Sequence, residues 1–124
     1  SIMTGELKIS KVIRLQKGAM KTEFVPAPLS LTQTGALVYD TVLSIGTSEE
    51  TAGPVFGDIG TEGWVCIYNL DATNYVQVGF STTVYGMRLY GGGAPADFFI
   101  EPGATLYLKA NTAACNVRVI CYEY

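Results

Sequence analysis

The sequence contains no histidine, the side chain that most often acts as a general base or a metal ligand near neutral pH. Catalytic arrangements that pair histidine with a serine or cysteine nucleophile are therefore excluded. Charged residues are scarce, at 15% of the chain, and no apolar run approaches the ~20 residues that a membrane-spanning helix needs. These shortages argue against the common hydrolase mechanisms and against a helical membrane protein.

Cysteine is also scarce, and Cys66, Cys115 and Cys121 lack the spacing of zinc-binding or redox motifs. Cys115 and Cys121 are separated by six positions, which places them on one face of a continuous strand, about 20 Å apart. That distance is too long for a disulfide. We expect three reduced, buried thiols that pack as small hydrophobic side chains.

Other chemical motifs are weak. Paired carboxylates can hydrolyse glycosides, but Glu49 with Glu50, and Asp58 with Glu62, lie in a polar loop where we expect solvation. The glycines at 91–93 precede a proline rather than a helix, which indicates a turn rather than a phosphate-binding loop. The sequence therefore predicts no enzyme, no catalytic residue, no metal site and no cofactor.

Apolar residues are plentiful, at 48% of a chain of 124 residues, which is the length of one domain. Their short, interrupted segments predict a protein whose surface is partly apolar. Large apolar surface patches usually mark contacts with other chains. We therefore expect an oligomer or a component of an assembly.

Charge is distributed unevenly. Residues 1–23 carry five basic and two acidic residues (net +3), and residues 24–124 carry three basic and nine acidic residues (net −6). Two interpretations stay open for the first segment: a solvated, loosely ordered terminus, or a cationic arm that docks on an acidic neighbour. The candidate partner-binding residues of the arm are Lys8, Lys11, Arg14, Lys17, Lys21 and Phe24. Because the rest of the chain is acidic, we expect neither nucleic acid nor a membrane as a partner.

Alternation of period two begins after residue 36 and predicts strands. Leu37, Tyr39, Thr41, Leu43 and Ile45 would share one face of a first strand, and Cys115, Val117, Val119 and Cys121 one face of the last. We count seven or eight strands near ten-residue spacing and no amphipathic helix, which is typical of a β-sandwich or barrel. The sequence predicts an all-β protein: an extended N-terminal arm over 1–34 and a β-sandwich of jelly-roll type over 35–124.

Local signals refine this prediction. One short strand is expected within 7–15, a proline-containing connector at 23–29, and a short strand near Val55 and Phe56. Residues 64–70 predict a strand buried on both faces, and the turn residues 71–74 predict a hairpin with a partner strand at 75–81.

Five aromatic residues on neighbouring predicted strands are candidate interface residues: Trp64, Tyr68, Tyr75, Tyr85 and Tyr90. Tyrosine and tryptophan are enriched at protein–protein interfaces. They also stack on sugars, so a sugar-binding platform is the alternative to a role in the core or in an interface.

The run GWVCIYNLDATNYVQVG at 63–79 is similar to small virion structural proteins of tailed bacteriophages. In those proteins a strand ending in Asn-Leu-Asp is followed by Thr-Asn-Tyr and a Val-x-Val-Gly strand, and residues 99–104 and 108–113 also fit their usual ending. The resemblance covers roughly 60–124. It implies a fold and a setting in the virion, and it transfers no catalytic residue.

What the resemblance implies is a capsid decoration (cement) protein that binds the outer surface of the head shell and bridges capsid subunits. Its partners would be the major capsid protein and further copies of itself, with a homotrimer favoured. The alternative is a tail or fibre component that binds host-surface glycans. The N-terminal residues lack the order of a signal peptide, so we expect synthesis in the host cytoplasm and a final location in the virion.

Overall fold

The computed structural model of the chain describes residues 6–51 and 56–124. The chain divides into two compact units, Ser1–Thr34 and Gly35–Tyr124. Within the described residues all regular structure is β-strand and no helix occurs, which confirms the predicted all-β class.

Residues 6–34 of the first unit form four short strands: β1 (Leu7–Ile9), β2 (Ile13–Lys17), β3 (Met20–Phe24) and β4 (Leu29–Leu31). β1 pairs with β4 and β2 pairs with β3, both antiparallel. Gly18 takes a φ of +58° in the two-residue turn between β2 and β3, a conformation that favours glycine. The prediction of one strand within 7–15 is wrong, because residues 10–12 separate β1 from β2 and these two strands pair with different partners. Residues 23, 24 and 29 are strand residues, so the predicted connector is reduced to 25–28.

In the described part of the second unit, eight strands form two antiparallel sheets. They are β5 (Val38–Ile45), β6 (Glu50–Thr51), β7 (Glu62–Asn69), β8 (Val76–Gly79), β9 (Met87–Leu89), β10 (Pro95–Phe99), β11 (Tyr107–Ala110) and β12 (Cys115–Glu123). The first sheet has the order β10-β7-β12-β5, and the second sheet has the order β6-β11-β8-β9. The strand expected near Val55 and Phe56 is not seen: Val55 lies outside the described residues, and Phe56 is a buried loop residue.

One hydrophobic core takes side chains from both sheets. Alternate residues of β7, β8, β11 and β12 enter it, and the predicted inner face of β12 is confirmed. The members of that face are Cys115, Val117, Val119 and Cys121, each with 0% of its surface exposed. Burying one valine or leucine side chain contributes about 1.5–3 kcal/mol, so this inner face is a main source of stability.

The hairpin predicted for residues 64–81 is wrong. β7 pairs with β10 and β12, whereas β8 pairs with β11 and β9. The turn itself forms, because a side-chain oxygen of Asp71 accepts hydrogen bonds from the backbone N–H groups of Thr73 (3.0 Å) and Asn74 (2.7 Å). It carries the chain from the first sheet to the second, since both edges of β7 are already occupied.

The side chain of Asn69 stabilises the connection between β7 and β8, where the chain crosses from the first sheet to the second. Asn69 is fully buried at the end of β7. Its amide nitrogen donates to the carbonyl oxygens of Asn74 and Leu89, both at 2.9 Å, and its side-chain oxygen accepts from the N–H of Asp71 at 3.0 Å. Because Leu89 belongs to β9, one buried side chain of the first sheet bonds to a strand of the second.

Candidate interaction surfaces

The hairpin of β2 and β3 is amphipathic and exposed on both faces. Cross-strand partners share a face, so Ile13 lies beside Phe24, and Leu15 and Met20 lie on the same side. We call these four residues the apolar hairpin face. Between 48% and 60% of the surface of each is exposed. The polar hairpin face on the other side carries Arg14, Gln16, Lys21 and Glu23.

The structure distributes the six candidate arm residues over several positions. Phe24 is on the apolar hairpin face, with Lys17 at its turn end, whereas Arg14 and Lys21 lie on the polar hairpin face. Lys8 belongs to β1, and Lys11 lies between β1 and β2. The six residues therefore do not form one patch.

Arg14 also has a partner within its own hairpin. Its Nε donates to a carboxylate oxygen of Glu23 across the strand pair at 2.8 Å. Both side chains are exposed, so the ion pair contributes little to stability. Part of the positive charge of the arm is thus neutralised locally.

Trp64 and Tyr68 lie on the outer face of the first sheet, because they alternate with the core residues Val65 and Ile67. The ring of Trp64 packs edge-on against Phe99 of β10, with centroids 4.6 Å apart. Phe99 is itself about half exposed. Trp64 is nevertheless buried and Tyr68 half-buried, so β7 is covered on both faces, as predicted for residues 64–70.

An ion pair lies on the same outer face. Arg118 of β12 donates to both carboxylate oxygens of Asp40 of β5, at 2.9 and 2.6 Å. This two-point hydrogen bond lowers the pKa of Asp40 and raises the pKa of Arg118. Val38 and Val42, which flank Asp40 on β5, are exposed.

Tyr75 and Tyr90 come together on the second sheet with a residue that sequence reasoning missed. The Cζ atom of Arg88 lies 4.1 Å from the ring centroid of Tyr75 and 5.9 Å from that of Tyr90. The two rings meet at 63° with centroids 6.4 Å apart. We call these three residues the tyrosine–arginine cluster. A sequence signal for it exists, because Arg88 and Tyr90 are two positions apart and so share a strand face.

Tyr85 has a different environment, in which it donates a hydrogen bond to Glu49. Hydrogen bonds from Thr82, Tyr85 and the backbone of Thr83 lower the pKa of Glu49. The same contact raises the pKa of Tyr85 to about 12. Thr83 takes a φ of +59°, which is uncommon for a residue with a side chain. Glu49 therefore connects two loops through hydrogen bonds that the sequence did not predict, while its side chain stays partly exposed to solvent.

Three further carboxylates, which lie in strands β6, β7 and β12, also accept backbone hydrogen bonds. Glu50 accepts from the N–H of Gly46 at 2.9 Å, and the buried Glu62 accepts from the N–H of Gly103 at 3.2 Å. Glu123 accepts from the N–H groups of Gly60, Ala36 and Leu37, which lowers its pKa. These carboxylates act as structural hydrogen-bond acceptors.

The three cysteines are free and buried, as predicted. Burial raises the pKa of Cys115 and raises the pKa of Cys121 to about 11. A thiol with a raised pKa is a poor nucleophile near neutral pH. Over residues 6–51 and 56–124, no group of three or more Cys, Asp or Glu side chains is arranged to hold a metal ion. Nor does the described part of the chain hold a helix of the length and apolarity required to cross a bilayer.

Comparison with known proteins finds no family model, no curated protein and no solved structure that significantly matches the chain. The resemblance to phage virion proteins therefore stays a prediction.

Proposed function

We propose that the chain is a capsid decoration (cement) protein of a tailed bacteriophage. It is made in the host cytoplasm, binds the outer surface of the head shell and stabilises the shell by bridging subunits of the major capsid protein. The observation that carries this proposal is the apolar hairpin face of the first unit, whose four side chains are all exposed.

The exposure of the β2–β3 hairpin supports a binding partner, because a partner surface would stabilise the hairpin. An isolated two-stranded hairpin is marginally stable in water, and all ten residues of β2 and β3 are exposed. Covering the apolar hairpin face would contribute about 25 cal/mol for each Å² of apolar surface removed from water. A capsid surface that covers this face would therefore stabilise both the hairpin and the attachment.

A jelly-roll sandwich is the fold we propose for the second unit, as the body of the decoration protein. A jelly roll has eight strands in two sheets formed by two Greek keys. Two orders of four antiparallel strands, β10-β7-β12-β5 and β6-β11-β8-β9, support this assignment. Six of the seven connections between these described strands change sheet, and the connection from β8 to β9 stays within one.

Self-association is the second part of the proposal, with a trimer favoured. Exposed apolar residues at both edge strands of the first sheet support it: Val38 and Val42 on β5, and Phe99 on β10. Apolar surface of this kind is typical of contacts between chains. The mass of the purified protein in solution, measured by light scattering, distinguishes a trimer from a monomer.

Binding of variants to decoration-free heads of the phage that encodes the chain tests the attachment. Phe24→Ser places a polar group on the apolar hairpin face, and Gln16→Ser is the matched control on the polar hairpin face. We expect Phe24→Ser to weaken binding at least tenfold and Gln16→Ser to leave binding unchanged. Equal binding by both variants and the unmodified chain would contradict the proposed attachment.

A further inference from the structure

The outer face of the second sheet carries a row of hydrogen-bonding side chains. Arg88 of β9 is in register with Gln77 of β8, and Gln77 is in register with Lys109 of β11. We call these three residues the cationic row. Tyr75 and Tyr90 lie two positions from Gln77 and Arg88 on the same strands or at their ends, so the tyrosine–arginine cluster is continuous with the row.

This placement of charge is unusual within an acidic unit. Residues 35–124 hold nine acidic residues and three basic residues, Arg88, Lys109 and Arg118. Arg118 is paired with Asp40. The other two cations are therefore on one sheet face, about 10 Å apart across two strand spacings.

The side chains of the cationic row have hydrogen-bond donors that can bind a ligand. Among the described residues, neither Arg88 nor Gln77 forms a side-chain hydrogen bond or an ion pair, and Lys109 acts only as a minor electrostatic influence on Glu49. Arg88 is exposed, and its Cζ atom lies over the ring of Tyr75, 4.1 Å from the ring centroid. A stacked guanidinium keeps its N–H donors in its own plane, where they can bind a carboxylate at two points.

We propose that this face binds a polysaccharide built of carboxylate-bearing sugars, such as uronic acids. Arg88 holds the carboxylate of one sugar, and the ring of Tyr90, which is 62% exposed, packs against the apolar face of a pyranose. Gln77 and Lys109 bind the hydroxyl groups or the carboxylate of the next sugar along the row. The site requires no particular position in a virion, so it is independent of the attachment of the first unit.

Two other anionic polymers fit this face less well. A peptide strand presents a series of backbone N–H donors, and the side-chain oxygen of Gln77 is the one acceptor that the three residues of the row offer them. Nucleic acid binds through many phosphate contacts, whereas this unit offers two unpaired cations and carries a net charge of −6. A sugar polymer supplies acceptors, one charge per residue and a flat apolar face.

Isothermal titration of the full chain with polygalacturonate oligosaccharides tests the proposal, with dextran oligosaccharides of matched length as the neutral comparison. We expect binding of polygalacturonate and none of dextran. Arg88→Gln and Tyr90→Ala, both at exposed positions, should each weaken binding at least tenfold. Lys17→Gln removes the same charge from the first unit and should leave binding unchanged.

Several results would overturn the proposal. These are no heat of binding for the unmodified chain at millimolar sugar, an equal loss in Arg88→Gln and Lys17→Gln, and equal binding of dextran. Equally tight, Arg88-dependent binding of poly-glutamate or of single-stranded DNA would also overturn it, because the face would then recognise charge rather than sugar.

Discussion

Replacing Gly79 with alanine should destabilise the second unit strongly. Gly79 ends β8, and a Cβ atom there would lie 2.0 Å from the carbonyl oxygen of Val84 and 2.9 Å from the Cα of Tyr85. Both contacts are with backbone, which cannot rotate away as a side chain can. The strand end and the 80–86 loop would have to separate.

The expected magnitude follows from the cost of overpacking, which is typically about 1–3 kcal/mol. Because the added Cβ atom would overlap backbone atoms, we expect Gly79→Ala to cost about 3 kcal/mol, the upper end of this range. For a unit of about 90 residues, this loss should lower the melting temperature by about 12–24 °C.

Thermal unfolding followed by circular dichroism, with urea titration for the free energy, measures this effect. Gly86→Ala is the matched control in the same loop, because a Cβ at Gly86 meets no atom within 4 Å and its backbone is not in the left-handed region. We expect Gly86→Ala to change the free energy of unfolding by less than about 1 kcal/mol. Equal melting temperatures for the two variants would refute the close approach of β8 to the 84–85 backbone.

Three further predictions concern hydrogen bonds. The hydrogen bonds from the 82–85 loop lower the pKa of Glu49. These bonds therefore stabilise the folded state fully at a pH above the ordinary carboxyl pKa of about 4.3. That stabilisation is lost as the pH falls from there through the lowered pKa. Urea titrations of Glu49→Gln from about pH 5 to pH 3 should therefore show a smaller loss of stability than those of the unmodified chain, and parallel losses would contradict this. The hydrogen bond to Glu49 raises the pKa of Tyr85 to about 12. This bond therefore stabilises the folded state fully at a pH below the ordinary tyrosine pKa of about 10, and the stabilisation is lost as the pH rises from about 10 through about 12. Tyr85→Phe should therefore lose less stability over that alkaline range, and an unchanged alkaline profile would argue against the Glu49 contact. Asn69→Ala removes the amide donor to the carbonyl oxygens of Asn74 and Leu89 and should cost about 2–3 kcal/mol in urea titration, whereas Asn116→Ala, at an exposed position of β12, should cost less than about 0.5 kcal/mol. Similar costs for these two asparagine variants would contradict the role of Asn69 in linking the sheets.

The strand faces were predictable where one side of a strand is buried. β5 and β12 both alternate as expected, because an apolar residue on the wrong face would lose its burial in the core. Strand partners were not predictable from local signals. Asp71 forms its turn, but turn chemistry does not determine whether the next strand pairs with β7 or crosses to the other sheet.

The candidate surfaces were predictable only in part. The five candidate aromatic residues were grouped from the sequence, but the structure places them at three separate positions, because the order of strands in each sheet determines which strands are neighbours. These positions hold Trp64 with Tyr68, Tyr75 with Tyr90, and Tyr85 alone. Glu49 accepts hydrogen bonds from residues that lie 33 to 36 positions away in the sequence, and no local sequence pattern predicts such a contact. The apolar hairpin face depends on the turn at Gly18, which pairs residues 20–24 with residues 13–17, and no strand at 20–24 was predicted from the sequence.

The number of copies of the chain in each virion tests the central proposal most directly. Quantitative mass spectrometry of purified particles of the phage that we propose encodes the chain, with the major capsid protein as the internal standard, provides this number. A decoration protein that bridges capsid subunits over the whole shell should be present in hundreds of copies for each particle. A handful of copies, or none after the heads are purified away from tails, would contradict the account.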